Sequence, residues 1–465
     1  MEEVKSSVPI ELTRDELGIK PVYYVHDGSS ITYDDHIGAI LKVRSECQPN
    51  KDSIRAYLKG GHPVHSEETF FEGVRRLLPG QKLISDPNGR AITSQYWIPQ
   101  FSKTVRNETG TGAAAEKTRE LLLEAVESNI REEKDVIGVS LSGGLDSSSI
   151  VACVRKLRPN ARIKTFSVIS DGNNEDARCS EMVVQKLGTE QTIVKPNAEE
   201  FWNDLRIFVR CQEEPVTGID TYCDWKMHER AKDTGLTKLL GGTGSDALLM
   251  GDPALHPHYW LTLMERKEYR LLLANLLGSY EIALRLLWRI MIQPRKGPER
   301  TAGQAHELTE RARDDLLIEM LASNLRNSIP TDLQCLYNNA AYFGIEPLSP
   351  FLYMPLVEYL LTLPLDCKIH RGTTKYILRE AMKPLLPEAV VKRKSKDVFA
   401  NPTLQWFNGP LREKLQDFFS SQSLRGTEYY NLSRVHELLG KNMDRSEGRY
   451  VWRVLNLEVW LQEFF

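Results

Sequence analysis

Hydroxyl groups, a glycine pair and a carboxylate lie together in one short stretch of this chain. The stretch reads Leu141, Ser142, Gly143, Gly144, Leu145, Asp146, Ser147 and Ser148. It follows the apolar, β-branched run 136–139 and opens the helix-like segment 147–157. A glycine pair lets the backbone turn tightly, and N–H groups at the start of a helix bind anions such as phosphate. The stretch therefore predicts a phosphate-binding loop, in which Asp146 lies beside a metal-bound phosphate.

A strand, an S-G-G-x-D-S loop and a helix in this order make a PP-loop, the motif that grips the pyrophosphate of ATP. In this respect the chain resembles the ATP-pyrophosphatase enzymes, which release AMP. The plainer alternative is a serine-rich turn before a surface helix, but the flanking strand and helix favour the phosphate loop. A Walker-type kinase or ATPase is not indicated, because the sequence contains no G-x-x-x-x-G-K-[ST].

A second glycine-rich stretch follows the apolar run 236–240. It reads Gly242, Thr243, Gly244, Ser245, Asp246 and Ala247. The stretch satisfies G-x-G-x-x-A, yet no acidic residue closes a second strand about 20 positions later, as a dinucleotide fold would require. We therefore expect a second loop of the same ATP site, with Asp246 as another carboxylate that faces the metal.

Composition limits the class of protein. At 465 residues and 41% hydrophobic, the chain can bury a large core and is expected to form two domains. A formal net charge of −3 and a pI near 6.4 give no electrostatic case for nucleic acid as a partner. The seven cysteines are scattered without a C-x-x-C, and the N-terminus does not read as a signal peptide. These features predict reduced thiols in a cytoplasmic protein.

The segment 271–292 is strongly apolar, but three charges interrupt it at Glu281, Arg285 and Arg289. A membrane span is therefore not expected. The three charges recur at i+4 and share one face of a predicted helix. Such a helix either packs onto the domain core or forms a docking surface for a peptide or a membrane.

The order of predicted elements indicates the fold class. Residues 1–105 read as short strands and turns, and 113–131 as an amphipathic helix. From residue 135 strands alternate with helices, and Val168 ends one strand whose following loop should line the nucleotide site. This order predicts an α/β fold with a PP-loop parallel sheet, flanking helices and a helical C-terminal part. A small β-rich N-terminal domain over 1–105 is expected to precede a synthetase domain over 110–465.

Beyond the PP-loop, the chain resembles the asparagine synthetase family over nearly its whole length. The segments that carry the resemblance are 14–24, 69–80, 96–97, 165–167, 175–176, 350–352, 373–379 and 452–458. The resemblance implies that ATP adenylates a carboxylate, that pyrophosphate leaves, and that an amine attacks to give an amide and AMP.

The resemblance also implies roles for particular residues. It makes Asp146 and Asp246 ligands of magnesium and places Lys375, on a predicted helix, near the phosphates. Lys396 takes the position of a lysine that stabilises the adenylation and tetrahedral transition states, although a basic cluster is more often a solvated surface. The ATP and pyrophosphate site comprises 141–148, Val168 and Gly242. The substrate pocket is assigned to Thr243, Ser245 and Glu346.

This chain departs from the family pattern in three places. Glutamine-dependent members begin with Met-Cys, whereas this sequence begins with Met1 and Glu2, so we expect a truncated glutaminase-like domain that makes no ammonia. In the second loop, which is S-G-E-G-A-D-E in the family, Thr243 replaces the first glutamate. The family's P-F-L-D ends here in Tyr353. The substitutions change the acceptor side and leave the ATP side intact.

An ATP site without an ammonia supply suggests that the amine belongs to the substrate itself. The β-lactam synthetases and the cyclases of lasso peptides are such variants, and proximity can supply ~7–11 kcal/mol of the barrier. The form of the second loop and the helical insertion at 255–292 favour a lasso-type macrolactam synthetase. It would use ATP and Mg²⁺ on a peptide or small-molecule carboxylate, with a precursor peptide and a leader-peptide protease as partners. The alternatives are an ammonia-dependent asparagine synthetase-like enzyme, a β-lactam-type synthetase, and a non-catalytic nucleotide-binding subunit.

Overall fold

The computed structural model describes residues 2–5, 10–28, 30–44, 47–60, 66–86, 90–105, 110–132, 135–169, 175–284, 314–394 and 402–465. The strands within these ranges are β1 Glu2–Lys5, β2 Glu11–Thr13, β3 Tyr23–His26, β4 Ser30–Asp34, β5 Arg75–Arg76, β6 Gln81–Ser85, β7 Ala91–Gln95, β8 Val136–Ser140, β9 Arg162–Val168, β10 Glu190–Val194, β11 Lys238–Leu240, β12 Glu346–Leu348, β13 Ile369–His370 and β14 Thr373–Thr374.

Helices make up most of the remaining described chain. They are α1 Ile37–Leu41, α2 Lys51–Leu58, α3 Thr111–Ile130, α4 Leu145–Leu157, α5 Glu175–Leu187, α6 Ala198–Gln212, α7 Asp220–Asp233, α8 Ser245–Leu248, α9 His256–Glu265, α10 Tyr269–Gly278, α11 Asp314–Ser323, α12 Ile329–Tyr342, α13 Met354–Thr362, α14 Leu365–Lys368, α15 Tyr376–Met382, α16 Glu388–Lys392, α17 Thr403–Phe407, α18 Arg412–Phe419, α19 Leu432–Leu439 and α20 Arg445–Phe464. A π-helical turn, Asn324–Ser328, joins α11 to α12.

A five-stranded parallel sheet organises the larger part of the molecule, in the order β10-β9-β8-β11-β12. Its central strand β8 is flanked by β9 and β11, both parallel to it. The buried, β-branched sequence of β8 suits a sheet that helices cover on both faces. The α/β fold expected from the sequence is confirmed, and the carboxyl ends of β8, β9 and β11 meet at one edge.

The N-terminal region contains two small antiparallel sheets, β1-β4-β3-β5 and β2-β6-β7. The short strands and turns expected in this region include two hairpins, β3–β4 and β6–β7. The sequence analysis missed two helices here, α1 and α2, because each is too short to show a clear helical period. The signal for α2 was its N-cap: Asn50 accepts from the main-chain N–H groups of Asp52 and Ser53.

The largest hydrophobic core lies between the sheet and the helices that follow it. The apolar face predicted for α3 is confirmed, because Leu122, Ala125, Val126 and Ile130 have no exposed surface. This face packs against α4 and α15. Lys375 comes directly before α15. The packing of α3 against α15 therefore helps to hold Lys375 at the edge of the sheet.

A second core joins the N-terminal region to the C-terminal helices. It contains Tyr57 and Phe71 from the N-terminal region, Phe201 from α6, and Trp452 and Trp460 from α20. The ring centroids of Phe71 and Trp460 are 5.1 Å apart in an edge-on arrangement. The boundary predicted near residue 105 therefore separates sequence segments that bury their apolar side chains together.

One buried ion pair connects the N-terminal region to the segment that follows α6. Arg76 on β5 donates twice to the carboxylate of Glu214, at 2.7 and 2.8 Å, and both side chains are 1% exposed. Gln334 and the main-chain N–H of Phe70 also donate to this carboxylate. The four donated hydrogen bonds compensate for removing Glu214 from water.

Within the described ranges, no helix is long and apolar enough to cross a membrane. The predicted helix over 271–292 is described as far as Leu284, and Arg285 and Arg289 lie outside the described residues. In α10, Leu273 and Leu277 remain more than half exposed.

We expect Glu214→Gln to lower the free energy of unfolding by about 3–5 kcal/mol, because it leaves the buried Arg76 guanidinium without a countercharge. The shift of the urea unfolding midpoint measures this loss. Glu190→Gln is the matched control, since Glu190 also accepts two hydrogen bonds from one arginine, Arg162, but in solvent. Equal shifts for the two variants would contradict the structural role of the buried pair.

Candidate functional site

The PP-loop turns between β8 and α4 at Gly143, which has a φ of +78°. A Cβ at this position would lie 2.2 Å from the carbonyl oxygen of Asp176, so glycine is needed for both its conformation and its lack of a side chain. Gly144 then precedes α4, and within the described chain no side chain caps this helix. The first N–H groups of α4 are therefore left to face a ligand.

The serines of the loop hold its shape. The main-chain N–H of Ser142 donates to Ser147 Oγ at 3.1 Å, and the two hydroxyl oxygens are also 3.1 Å apart. Ser148 Oγ is buried and finds no hydrogen-bond partner among the described residues. Ser142 and Ser147, expected as ligand donors, thus also cross-link the loop from within.

The second loop packs directly on the PP-loop. A Cβ at Gly242 would lie 3.0 Å from Asp146 Cβ. Ser245 donates its hydroxyl to Asp146 Oδ1 at 2.7 Å and is fully buried. Ser245 was assigned above to the substrate pocket. In the structure its hydroxyl orients the Asp146 carboxylate instead. Thr243 is half-buried in the same loop.

Lys375 brings the two loops together electrostatically. Its Nζ lies 2.5 Å from Asp146 Oδ2 and 2.7 Å from Asp246 Oδ1, and its side chain is 7% exposed. The sequence analysis placed Lys375 on a helix. In the structure it comes just before α15, in a left-handed conformation with a φ of +53°. Its main-chain N–H donates to Leu249 O at 3.3 Å. Such strained backbone is maintained only where the surroundings hold it firmly.

A cavity of about 400 Å³ opens at this edge of the sheet, beside Gly144, Asp146 and Asp246. Four cationic side chains line it, namely Lys375, Arg379, Arg393 and Lys394. Burial lowers the pKa of Arg379, and the Asp146 carboxylate opposes that shift. Asp252 adds a third carboxylate to the lining, so the four cations exceed the carboxylates by one and favour an anionic ligand.

The cationic wall is fixed by contacts of its own. Arg379 donates to the carbonyls of Thr374, Val391 and Arg393, at 2.6–2.8 Å. Arg393 Nη1 lies 2.6 Å from Asp176, on the helix whose start packs against the PP-loop. Three hydrogen bonds to main-chain carbonyls leave Arg379 with a structural task in addition to its charge.

The helical insertion also supports this wall. Lys394 Nζ donates to the carbonyl of Gly278 at the end of α10. Asn275 accepts from the main-chain N–H of Gly372, and a Cβ at Gly278 would lie 1.7 Å from Arg371 O. The insertion thus holds the β13–β14 turn that leads into Lys375.

The sequence analysis missed Gly251. A Cβ there would lie 1.9 Å from Asp246 Oδ1 and 2.3 Å from Lys375 Cε. The preceding residue, Met250, has a φ of +55°. The signal was weak, because a lone glycine three residues after α8 reads as an ordinary helix end.

Other predicted residues have different surroundings. The main-chain N–H of Leu141 donates to the carbonyl of Phe166, and its carbonyl accepts from the Ser167 hydroxyl. Val168 ends β9 at the expected edge. The structure does not bring Glu346 to this edge: it pairs with Lys238 at the amino end of β12 and is exposed. Lys396 lies outside the described residues.

The donors present fit a magnesium ion. Asp146 and Asp246 approach each other at the Lys375 ammonium, so a metal held by them would bind beside that group. Mg²⁺ is usually bound by one or two carboxylates together with phosphate oxygens and water. The described residues include no group of three or more histidine, cysteine or acidic side chains that could enclose a metal alone. A metal here would therefore depend on a bound polyphosphate.

The sheet, the glycine turn and the second loop at its carboxyl edge define an α/β protein of PP-loop architecture. A family model described as "Asparagine synthase" matches residues 117–462, and one described as "Glutamine amidotransferase domain" matches residues 5–97. The chain belongs to the asparagine synthase family. Homologues in this family are ATP-dependent carbon–nitrogen ligases.

Two relatives illustrate the range of this family. "Amidase chry2" of Gibberella zeae is 23% identical over 96% of this chain and 75% of its own length. "Asparagine synthetase [glutamine-hydrolyzing] 1" of Bacillus subtilis is 24% identical over 96% of this chain and 74% of its own. The NH3-dependent NAD synthetase structure from Campylobacter jejuni is 18% identical over 29% of this chain and 59% of its own, with a TM-score of 0.22.

We expect Gly251→Ala to reduce ATP-dependent turnover by about 10²-fold while the protein stays folded, because the added methyl group displaces Asp246 and Lys375. Turnover is measured as ATP consumption and folding by circular dichroism. Gly241→Ala is the matched control, since a Cβ at Gly241 would meet nothing within 4 Å. Full activity in Gly251→Ala would show that the carboxylate–ammonium cluster tolerates displacement.

Proposed function

We propose that this protein is an ATP-dependent amide synthetase that adenylates a carboxylate, releases pyrophosphate, and joins the acyl group to an amine. The observation that carries the proposal is the Lys375 ammonium between Asp146 and Asp246, in a cavity with three further cations. Membership of the asparagine synthase family supports the same chemistry.

Each group in the cavity has a task in this reaction. The open N–H groups of α4 bind phosphate oxygens, and Lys375 with Arg393 offsets negative charge that grows on the departing pyrophosphate. Charges fixed in advance in a site with little water stabilise a transition state more than mobile solvent does. Asp146 and Asp246 would hold magnesium, which screens the phosphates when bound.

For the acceptor we propose an amine within the same substrate, so that the product is a macrolactam of the lasso type. The support is that Asp246 is the one charged residue of the second loop, 242–247, and it pairs with Lys375. Ser245 is committed to Asp146, and Gly244 packs on the apolar Leu352. Free aspartate would need charged groups for its own amino and carboxyl groups, whereas a peptide can be held by its length. A precursor peptide and a leader-peptide protease are the proposed partners.

An asparagine synthetase-like reaction with ammonia is a second candidate. It is favoured by the amidotransferase-domain match over 5–97 and by the extent of the match to the Bacillus subtilis enzyme. For either candidate the cytoplasm is the proposed compartment. The support is that all seven cysteines are free thiols.

We expect AMP and pyrophosphate as products, with carboxylate-dependent exchange of labelled pyrophosphate into ATP. Asp246→Asn should lower the exchange rate by about 10²-fold, because it removes one charge that anchors the metal-bound leaving group. Formation of ADP instead of AMP would refute the adenylation reaction.

The acceptor is identified by a substrate panel in the same assay. A peptide with an internal amine should lose the mass of one water in the macrolactam case. Aspartate with ammonium should yield asparagine in the other case. If neither the peptide nor aspartate with ammonium supports pyrophosphate exchange, both proposed reactions are wrong, although the family assignment stands.

We expect Lys396→Ala to lower turnover while ATP affinity is kept, as for an interaction made mainly in the transition state. Lys396→Arg should rescue poorly, because a planar guanidinium cannot replace a compact ammonium. Lys392→Ala is the matched control, since Lys392 is exposed and paired with Glu388. Equal losses at 392 and 396 would mean that the cluster acts only through its total charge.

A further inference from the structure

Lys368 ends α14 with no exposed surface. Its Nζ donates to the carbonyl of Leu248 at 3.0 Å and to that of Leu360, and lies 5.5 Å from the centroid of the Phe101 ring. Burial lowers the pKa of Lys368 to about 7, and the Cys367 thiol opposes that shift. A lysine in such a place is costly to bury, so its contacts matter for what they hold.

The first of these contacts lies directly beneath the candidate site. Leu248 is the last residue of α8, the short helix that begins with Ser245 and Asp246. Ser245 orients Asp146, and Asp246 pairs with Lys375. The adjacent carbonyl, Leu249 O, accepts the main-chain N–H of Lys375. A group that holds Leu248 O therefore fixes the end of α8 from which two site contacts extend.

The other two contacts belong to rigid surroundings. Leu360 is a buried residue of α13. Phe101 lies in the segment that leads from the N-terminal region to α3, and the next residue, Ser102, donates its main-chain N–H to Leu361 O at 2.8 Å. Lys368 thus ties the end of α8 to a helix and a connecting segment that are already bonded to each other.

We propose that Lys368 is a positioning residue, whose N–H groups hold the carboxyl end of α8 and thereby place Asp246 and the main chain of Lys375 for reaction. A lysine nitrogen carries at least two N–H groups in either protonation state, enough for both carbonyls. The catalytic part of this inference rests on the proposed adenylation, whereas the structural part concerns the protein alone.

The structural part is tested by hydrogen–deuterium exchange on Lys368→Met, which keeps a long unbranched side chain and loses every N–H donor. Peptides covering 246–251 and 374–377 should exchange at least about ten-fold faster than in the wild type. Lys226→Met is the matched control, because Lys226 on α7 is also buried but pairs with Asp204 of α6 and with Glu229 of its own helix. Unchanged exchange in those peptides, or the same increase in both variants, would overturn the proposal.

The catalytic part is tested by a double-variant cycle. Lys368→Met should lower the rate of pyrophosphate exchange about ten-fold or more with little change in KM for ATP. In an Asp246→Asn background the same change should cost little further, because Lys368 acts through Asp246. Losses that multiply in the double variant would mean that Lys368 supports only general stability.

A second variant keeps the test decisive if Lys368→Met does not fold. Lys368→Gln retains an amide with two N–H groups on a shorter chain and should show smaller changes in the same peptides and the same rate. Faster deuterium exchange in Lys368→Gln that is spread evenly over the chain, and not concentrated in those peptides, would count against the proposal. If the wild-type protein shows no pyrophosphate exchange, the proposed function is wrong. The hydrogen–deuterium exchange measurement would still decide the structural role of Lys368.

Discussion

The ammonium of Lys375 lies between the carboxylates of Asp146 and Asp246, and each of the three side chains comes from a different element. Two carboxylates this close repel each other, and the positive charge between them offsets that repulsion. Lys375 and Asp146 are buried there, whereas the Asp246 side chain is 47% exposed, so water partly screens its contact with the ammonium. Much of the surrounding structure serves to hold the three backbones in place, including the left-handed turn at Lys375 and the bare backbone at Gly251.

The support extends well beyond the sheet. Glu213, at the end of α6, accepts the main-chain N–H groups of Ile37 and Gly38 at the start of α1. Next to it, Glu214 holds Arg76. These contacts, together with the shared aromatic core, make the N-terminal region part of the framework on which the ATP-binding part rests. Residues 5–97 of this region match the amidotransferase-domain model, and their buried side chains share a core with the C-terminal helices. The region therefore contributes to the stability of the chain.

The two sides of the site differ in how they are built. On the nucleotide side, charged side chains converge on one cavity and are held by main-chain carbonyls. On the acceptor side, Gly244 packs on Leu352, and Ser245 spends its hydroxyl on Asp146. The proposed nucleotide side therefore has several fixed charges, and the proposed acceptor side has few.

The sequence by itself determined the parallel sheet, the PP-loop and both acidic positions, because these depend on local patterns. Alternating apolar strands and helices permit few topologies, and a glycine pair after a buried strand has few uses. Tertiary structure decided the rest. The spacing in sequence of Asp146, Asp246 and Lys375 says nothing of their contact. Ser245 gains its role from Asp146, 99 residues away, and Gly251 gains its role from the distant Lys375 as well as the nearby Asp246. Glu346 illustrates the same limit, since strand direction sends it to the opposite edge of the sheet. Side-chain contacts across such separations follow from packing, which no short sequence pattern encodes.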